Sequence, residues 1–149
     1  MRTKLDEKLS NAILTGCDLK ASKYRVDHFK FPWLPETEIQ SRIDIYFQDK
    51  RIVEITDEHV RMNHQGFVTQ AFASRLRCIF KTACDNLHDI QYGNGRIYVR
   101  TPSDIEGISY NFYLLDQDPN WVTIRRPSHK ESNVNDWRNL YRSNSVYAR

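Results

Sequence analysis

Long apolar stretches are missing from this 149-residue sequence. No run approaches the ~20 residues that an α-helix needs to cross a bilayer. Residues 1–8 start with a basic side chain but contain no apolar segment of the kind that signal peptides carry. These absences exclude a helical membrane protein from the candidates. They predict a cytoplasmic protein that has no membrane partner.

Cysteine is scarce. The sequence has three cysteines, an odd number that would leave one thiol unpaired in a secreted disulfide scaffold. Cys78 and Cys84 are six residues apart in a predicted helix, which separates them by roughly 9 Å along its axis, too far for a disulfide. We therefore expect reduced thiols that are buried in the core.

Metal-binding motifs are absent as well. Cys84 and His88 are four residues apart and could form half of a zinc site, but no Cys-x-x-Cys or His-x₃-His companion forms the other half. His59 and His64 are five residues apart in a predicted loop, whereas pairs on a metal-binding helix favour a spacing of four. We expect these two to be surface histidines, and the sequence predicts no metal and no cofactor.

Signatures of catalysis are also missing. There is no Gly-x-Ser-x-Gly elbow and no His-Glu-x-x-His pattern. The segment Gly93-Asn94-Gly95 lacks the third glycine and the Lys-Ser/Thr pair of a phosphate-binding loop. The balance favours a protein that is not an enzyme, and the sequence leaves that question open.

The sequence does contain clear hydrophobic periodicity, helical in some segments and alternating in others. The predicted elements are, in chain order, a helix over residues 4–15, a hairpin over 42–55, a long helix over 66–87, three strands within 96–126 and a short helix that begins at Asn133 or Asn135. Residues 24–31 alternate loosely and are a candidate edge strand. Together they predict a single α+β domain over residues 1–149. Its mostly antiparallel sheet has about five strands packed against one long helix, with short N- and C-terminal helices.

Charge is sorted along the chain. Residues 1–30 contain seven Lys/Arg and four Asp/Glu, residues 31–120 contain nine and thirteen, and residues 121–149 contain six and two. The formal net charge of +3 thus conceals two basic ends around an acidic middle. A polyanionic partner is expected at the ends.

The basic C-terminal segment is the candidate binding region, because cationic side chains neutralise phosphates and aromatic rings stack on unpaired bases. The predicted contacts with nucleic acid or with a protein partner are Arg125, Arg126, Lys130, Trp137, Arg138 and Arg142. In the alternative interpretation Trp137 anchors the last helix to the core and the arginines are only solvated. The sequence predicts a small non-catalytic binding or regulatory protein that acts by occupying a partner's surface, and its make-up also suits a phage or mobile-element inhibitor.

A second function remains open. The predicted order of a helix, an antiparallel sheet, a basic strand and a short final helix resembles that of the RelE-like toxins, and the resemblance implies a metal-independent ribonuclease. Such an enzyme needs basic and aromatic groups near the scissile phosphate. The candidates are Arg96, Tyr98, Arg125 and Arg126, with His64 as an acid or base if its loop folds over that face.

Overall fold

The computed structural model describes residues 3–127. The predicted C-terminal helix lies outside these residues, as do Lys130, Trp137, Arg138 and Arg142. The described elements are α1 (Lys4–Thr15), β1 (Leu19–Ala21), β2 (Tyr24–Lys30), β3 (Ser41–Phe47), β4 (Lys50–Ile55), β5 (His59–Met62), α2 (Gln70–Ala83), β6 (Asp89–Gly93), β7 (Arg96–Pro102), β8 (Tyr110–Leu114) and β9 (Val122–Arg125).

Helix α1 has the bounds that the sequence predicts. It begins with a capping box: the Asp6 N–H donates to Thr3 Oγ1 at 3.1 Å, and the Thr3 N–H donates to Asp6 Oδ2 at 3.0 Å. It ends at Gly16, whose φ of 75° lies in the left-handed region that glycine adopts without strain. Both ends are therefore encoded locally.

Helix α2 is shorter than predicted. It starts after Thr69, whose hydroxyl accepts from the N–H of Phe72. It stops at Ala83, because the Asp85 carboxylate accepts from the Leu87 N–H at 2.9 Å and holds the chain in a turn. The predicted helix over 66–87 is thus wrong at both ends, and Leu87 is exposed instead of lying on the apolar stripe.

Two antiparallel sheets replace the single predicted one. The larger has six strands in the order β1-β2-β3-β4-β5-β9, and the smaller has three in the order β6-β7-β8. The α+β class and the antiparallel pairing are confirmed. The count of about five strands is wrong, because β1, β5 and β6 were not predicted, and β9 pairs with β5 rather than with β8.

The core joins the inner face of the six-stranded sheet, the two helices and the buried residues of the small sheet, such as Ile90 and Ile97. Val26, Ile45, Val53 and Met62 are cross-strand neighbours in one row of that face, and each is completely buried. From the helices, Leu9, Leu76 and Phe80 are also completely buried, in the same cluster. Because side chains alternate along a strand, burying this row directs the intervening residues to the opposite face.

Candidate nucleic-acid interface

The opposite face of the six-stranded sheet carries a cluster of charged and aromatic side chains, and we call it the outer face. Strand alternation and register assign it six cationic and three acidic side chains. The cations are Lys20, Arg25, Arg42, Arg51, Arg61 and Arg125, and the carboxylates are Asp27, Asp44 and Glu54. The net charge of these groups is +3, as large as the formal charge of the whole chain.

A β-bulge places one of these arginines. The pairing shifts between Ile45, which faces Val53, and Tyr46, which faces Arg51. The extra residue, Ile52, is completely buried. In a regular ladder Arg51 would point toward the core, so the bulge directs its guanidinium outward.

The carboxylates and guanidiniums form a ladder across three strands. Asp44 contacts Arg42 Nε at 3.0 Å and Arg51 Nη1 at 3.6 Å. Glu54 contacts the same Arg51 nitrogen at 3.4 Å and Arg61 Nη1 at 3.1 Å. The Asp44 side chain is only 1% exposed whereas the three arginines are 33–36% exposed. The solvent-facing side of the ladder therefore consists mainly of guanidinium groups, and the carboxylates of Asp44 and Glu54 that compensate them are more deeply buried.

Aromatic rings contact several of the outer-face guanidiniums. Arg25 lies over Tyr46, with its Cζ 4.1 Å from the ring centroid. Arg51 and Arg61 both lie against Trp121, at 5.2 and 4.8 Å from the centroid. Such cation–π contacts restrict the positions that each guanidinium can occupy.

A hydrogen bond fixes the position of the Trp121 ring. Its Nε1–H donates to Asp118 Oδ1 at 2.6 Å within the segment that leads into β9. Toward the edge of the face, Arg42 lies over Phe29 with its Cζ 5.0 Å from the centroid. The result is a preformed surface on which cationic and aromatic groups alternate.

The structure separates the two adjacent arginines of the predicted site. Arg125 lies on the outer face opposite His59. Arg126 turns away: its Nε donates to the Ala83 carbonyl at 2.6 Å and its Nη1 donates to the Thr56 carbonyl at 2.9 Å. Arg126 therefore joins the end of α2 to the turn before β5, while Arg125 belongs to the candidate interface.

The residues of the ribonuclease alternative lie in different parts of the structure. Arg96 and Tyr98 are in β7 of the small sheet, whereas Arg125 is in β9 of the large one. His64 follows β5, and its Nδ1 accepts from the Gly66 N–H at 2.9 Å. Burial lowers the pKa of His64, although the charge of Asp116 acts in the opposite direction. The structure does not bring these groups into one sheet.

The histidine and cysteine expectations change accordingly. His64 is buried, so the prediction of a surface histidine is wrong there, and Cys17 is exposed although buried thiols were expected. His88 lies 2.6 Å from the Asp85 carboxylate and packs edge-on against Phe80. Within residues 3–127, no three His, Cys, Asp or Glu side chains are grouped so that they could hold a metal ion.

Sequence reasoning missed the central arginines because they lie in the acidic middle of the chain. The signal was present in the alternation of the hairpin, where Arg42, Asp44 and Tyr46 occupy the polar positions of β3. Trp121 gave no such signal, since it precedes its strand and reaches Arg51 and Arg61 only through the fold.

The fold and the outer face together define an α+β protein whose larger sheet has a cationic face. No family model matches the chain, and no match was found to a curated protein or to a solved structure. Neither helix between residues 3 and 127 has the length and apolar character required to cross a membrane.

Proposed function

We propose that this protein is a small non-catalytic binding protein whose outer face binds single-stranded nucleic acid, and that it regulates or inhibits by covering that strand. The observation that carries the proposal is the alternation of arginine and aromatic groups on a sheet face with a net charge of +3. The cysteines Cys17, Cys78 and Cys84 are reduced thiols, which fits a reducing compartment, so we place this activity in the cytoplasm.

The charge arrangement favours a polyanion. Asp44 is buried below the arginines that it contacts, and Glu54 is 13% exposed. A phosphate that approaches the ladder of Arg42, Arg51 and Arg61 would therefore meet guanidinium groups before it meets a carboxylate. Each phosphate that is neutralised releases counterions, and this release drives association at low salt.

The aromatic groups favour a single strand over a duplex. Rings and guanidinium planes offer surfaces on which unpaired bases stack, at about 1–3 kcal/mol per base. Six strands separated by about 4.8 Å span roughly 24 Å from β1 to β9, so the face can accommodate a short run of nucleotides. Cations stand at both edges of that span, Lys20 on β1 and Arg125 on β9.

The test is a binding titration with a fluorescently labelled 12-nucleotide strand of mixed sequence, followed by anisotropy in 50 to 200 mM salt. We expect affinity to fall steeply with salt. Arg61→Ala should lower the slope of log K against log salt by about 0.7, the value for one phosphate of a single strand. Trp121→Ala should weaken binding by about tenfold through lost stacking.

The matched control is Arg96→Ala, which removes the same charge from an exposed position at the start of β7 in the other sheet. It should leave both the affinity and the slope unchanged. Equal losses for Arg61→Ala and Arg96→Ala would contradict a specific outer-face site. An affinity that does not change with salt, or no binding, would instead favour a protein partner. That partner would then be sought by affinity capture. If the strand is RNA and is cleaved in the absence of metal, as a gel would show, the ribonuclease alternative is favoured.

A further inference from the structure

One edge of the outer face carries a small concave site between two turns. It has a volume of about 280 Å³ and lies between the β1–β2 turn and the β3–β4 turn. The Gln48 N–H donates to the Lys23 carbonyl at 2.9 Å and so ties one turn to the other. Ser22, Gln48 and Asp49 have positive φ angles, which make both turns tight. The site is therefore built into the backbone of two hairpins.

The charge of this site suits an anion. Lys20, Lys23, Arg25 and Asp49 line it, a net charge of +2. Arg25 is already paired, since its Nε is 3.1 Å from Asp27 and its Nη1 is 3.4 Å from Asp49. Neither lysine has an ion-pair partner among residues 3–127. Two ammonium groups are thus available for the same ligand.

The site adjoins the proposed strand-binding surface. Lys20 and Arg25 are cross-strand partners on the outer face, and Arg25 lies over the Tyr46 ring. A nucleotide whose base stacks at the Arg25–Tyr46 pair would have its phosphate at the concave site. Because β1 is the outermost strand of its sheet, the site lies at the edge of the outer face, where the end of a bound nucleic acid can reach it.

We propose that this site binds the terminal phosphate monoester of the bound strand, an inference that rests on the proposed function. A terminal phosphate has a second pKa near 6 and is close to a dianion at neutral pH, whereas an internal phosphodiester carries a single charge. The two ammonium groups of Lys20 and Lys23 match the charge of the monoester. The Ser22 hydroxyl adds a neutral donor at the same site.

The experiment compares four ligands: the 12-nucleotide strand with a 5′-phosphate, with a 3′-phosphate, or with hydroxyl groups at both ends, and inorganic phosphate as a competitor. We expect one phosphorylated strand to bind about tenfold more tightly than the hydroxyl strand, the effect of two exposed ion pairs. Lys20→Ala/Lys23→Ala should abolish that preference, and the hydroxyl strand should lose only the contribution that Lys20 makes as one cation of the outer face. Inorganic phosphate should reduce the preference without displacing the strand.

The control variant is Lys4→Ala/Lys8→Ala, which removes two exposed lysines from α1 and should keep the full preference. Equal binding of all three strands would overturn the inference and leave the proposed function standing. A preference that survives Lys20→Ala/Lys23→Ala would overturn it too, as would phosphate binding at these lysines without any gain for a phosphorylated strand. If no strand binds at all, the proposed function fails and this inference with it.

Discussion

Replacing Arg126 tests whether this arginine stabilises the fold, as its contacts indicate, or serves a partner. Its Nε donates to the carbonyl of Ala83, the last residue of α2, and its Nη1 donates to the Thr56 carbonyl. Carbonyls at a helix C-terminus have no partner within the helix, and the negative end of the helix dipole favours a cation there. Arg126→Ala removes the cation, so that the carbonyls of Ala83 and Thr56 can form hydrogen bonds only with water in its place.

The magnitude follows from these contacts. A hydrogen bond from a charged donor contributes about 1.5–3 kcal/mol, and because Arg126 is half-buried the lower part of that range applies. Two such bonds make a loss of about 3–4 kcal/mol in the free energy of unfolding. For a domain of this size the melting temperature would fall by about 5–15 °C. Arg126→Lys keeps the charge but has a single ammonium group, so it should recover about half of the loss.

The assay is urea unfolding followed by tryptophan fluorescence, with Arg96→Ala as the exposed control. Arg96→Ala should change the free energy of unfolding by no more than about 0.5 kcal/mol. If Arg126→Ala is as stable as the wild type and nonetheless loses affinity for a nucleic-acid strand, the structural role assigned to Arg126 is wrong.

Two further predictions concern titratable groups. Burial acts to raise the pKa of Asp6, but the hydrogen bonds from Thr3 and Arg75 outweigh it and hold the pKa below its ordinary value. The resulting stabilisation is present above the ordinary pKa and is lost as the pH falls through the lowered one. Asp6→Asn should therefore reduce stability by about 1–3 kcal/mol at pH 7 and flatten the acid limb of a stability–pH curve; an unchanged limb would contradict this. Burial raises the pKa of the Cys84 thiol, so in native protein a thiol reagent should modify the exposed Cys17 and spare Cys84 until urea is added, as mass spectrometry of the labelled peptides can show.

Helix α1 and the β3–β4 hairpin could be predicted because neighbouring residues in the sequence determine them. The bounds of α1 follow from its apolar spacing and from Gly16, and the β3–β4 hairpin follows from alternation around the turn at Gln48 and Asp49. The ends of α2 were missed because Thr69 and Asp85 determine them through side-chain hydrogen bonds, which compete with helix propensity.

Pairing between distant strands could not be predicted in the same way. Strand β9 follows β8 in sequence, yet it crosses to the other sheet and pairs with β5, where Ile124 lies opposite the buried Val60. An alternating pattern tells which side chains share a face, but it does not say which strand lies alongside. The candidate site was missed for the same reason, because its central arginines come together only through these pairings.

The sorted charge of the sequence acquires a different meaning in the fold. The basic N-terminal segment contributes Lys20 and Arg25 at one edge of the outer face, and the basic C-terminal segment contributes Arg125 at the opposite edge. The acidic middle forms the strands between them, yet its arginines lie on the surface while Asp44 is buried beneath. The net charge of a segment thus fails to indicate what that segment presents to solvent. Burial of Asp44 extends the cationic surface across the sheet, so that Lys20 and Arg25 at one edge and Arg125 at the other are parts of one face.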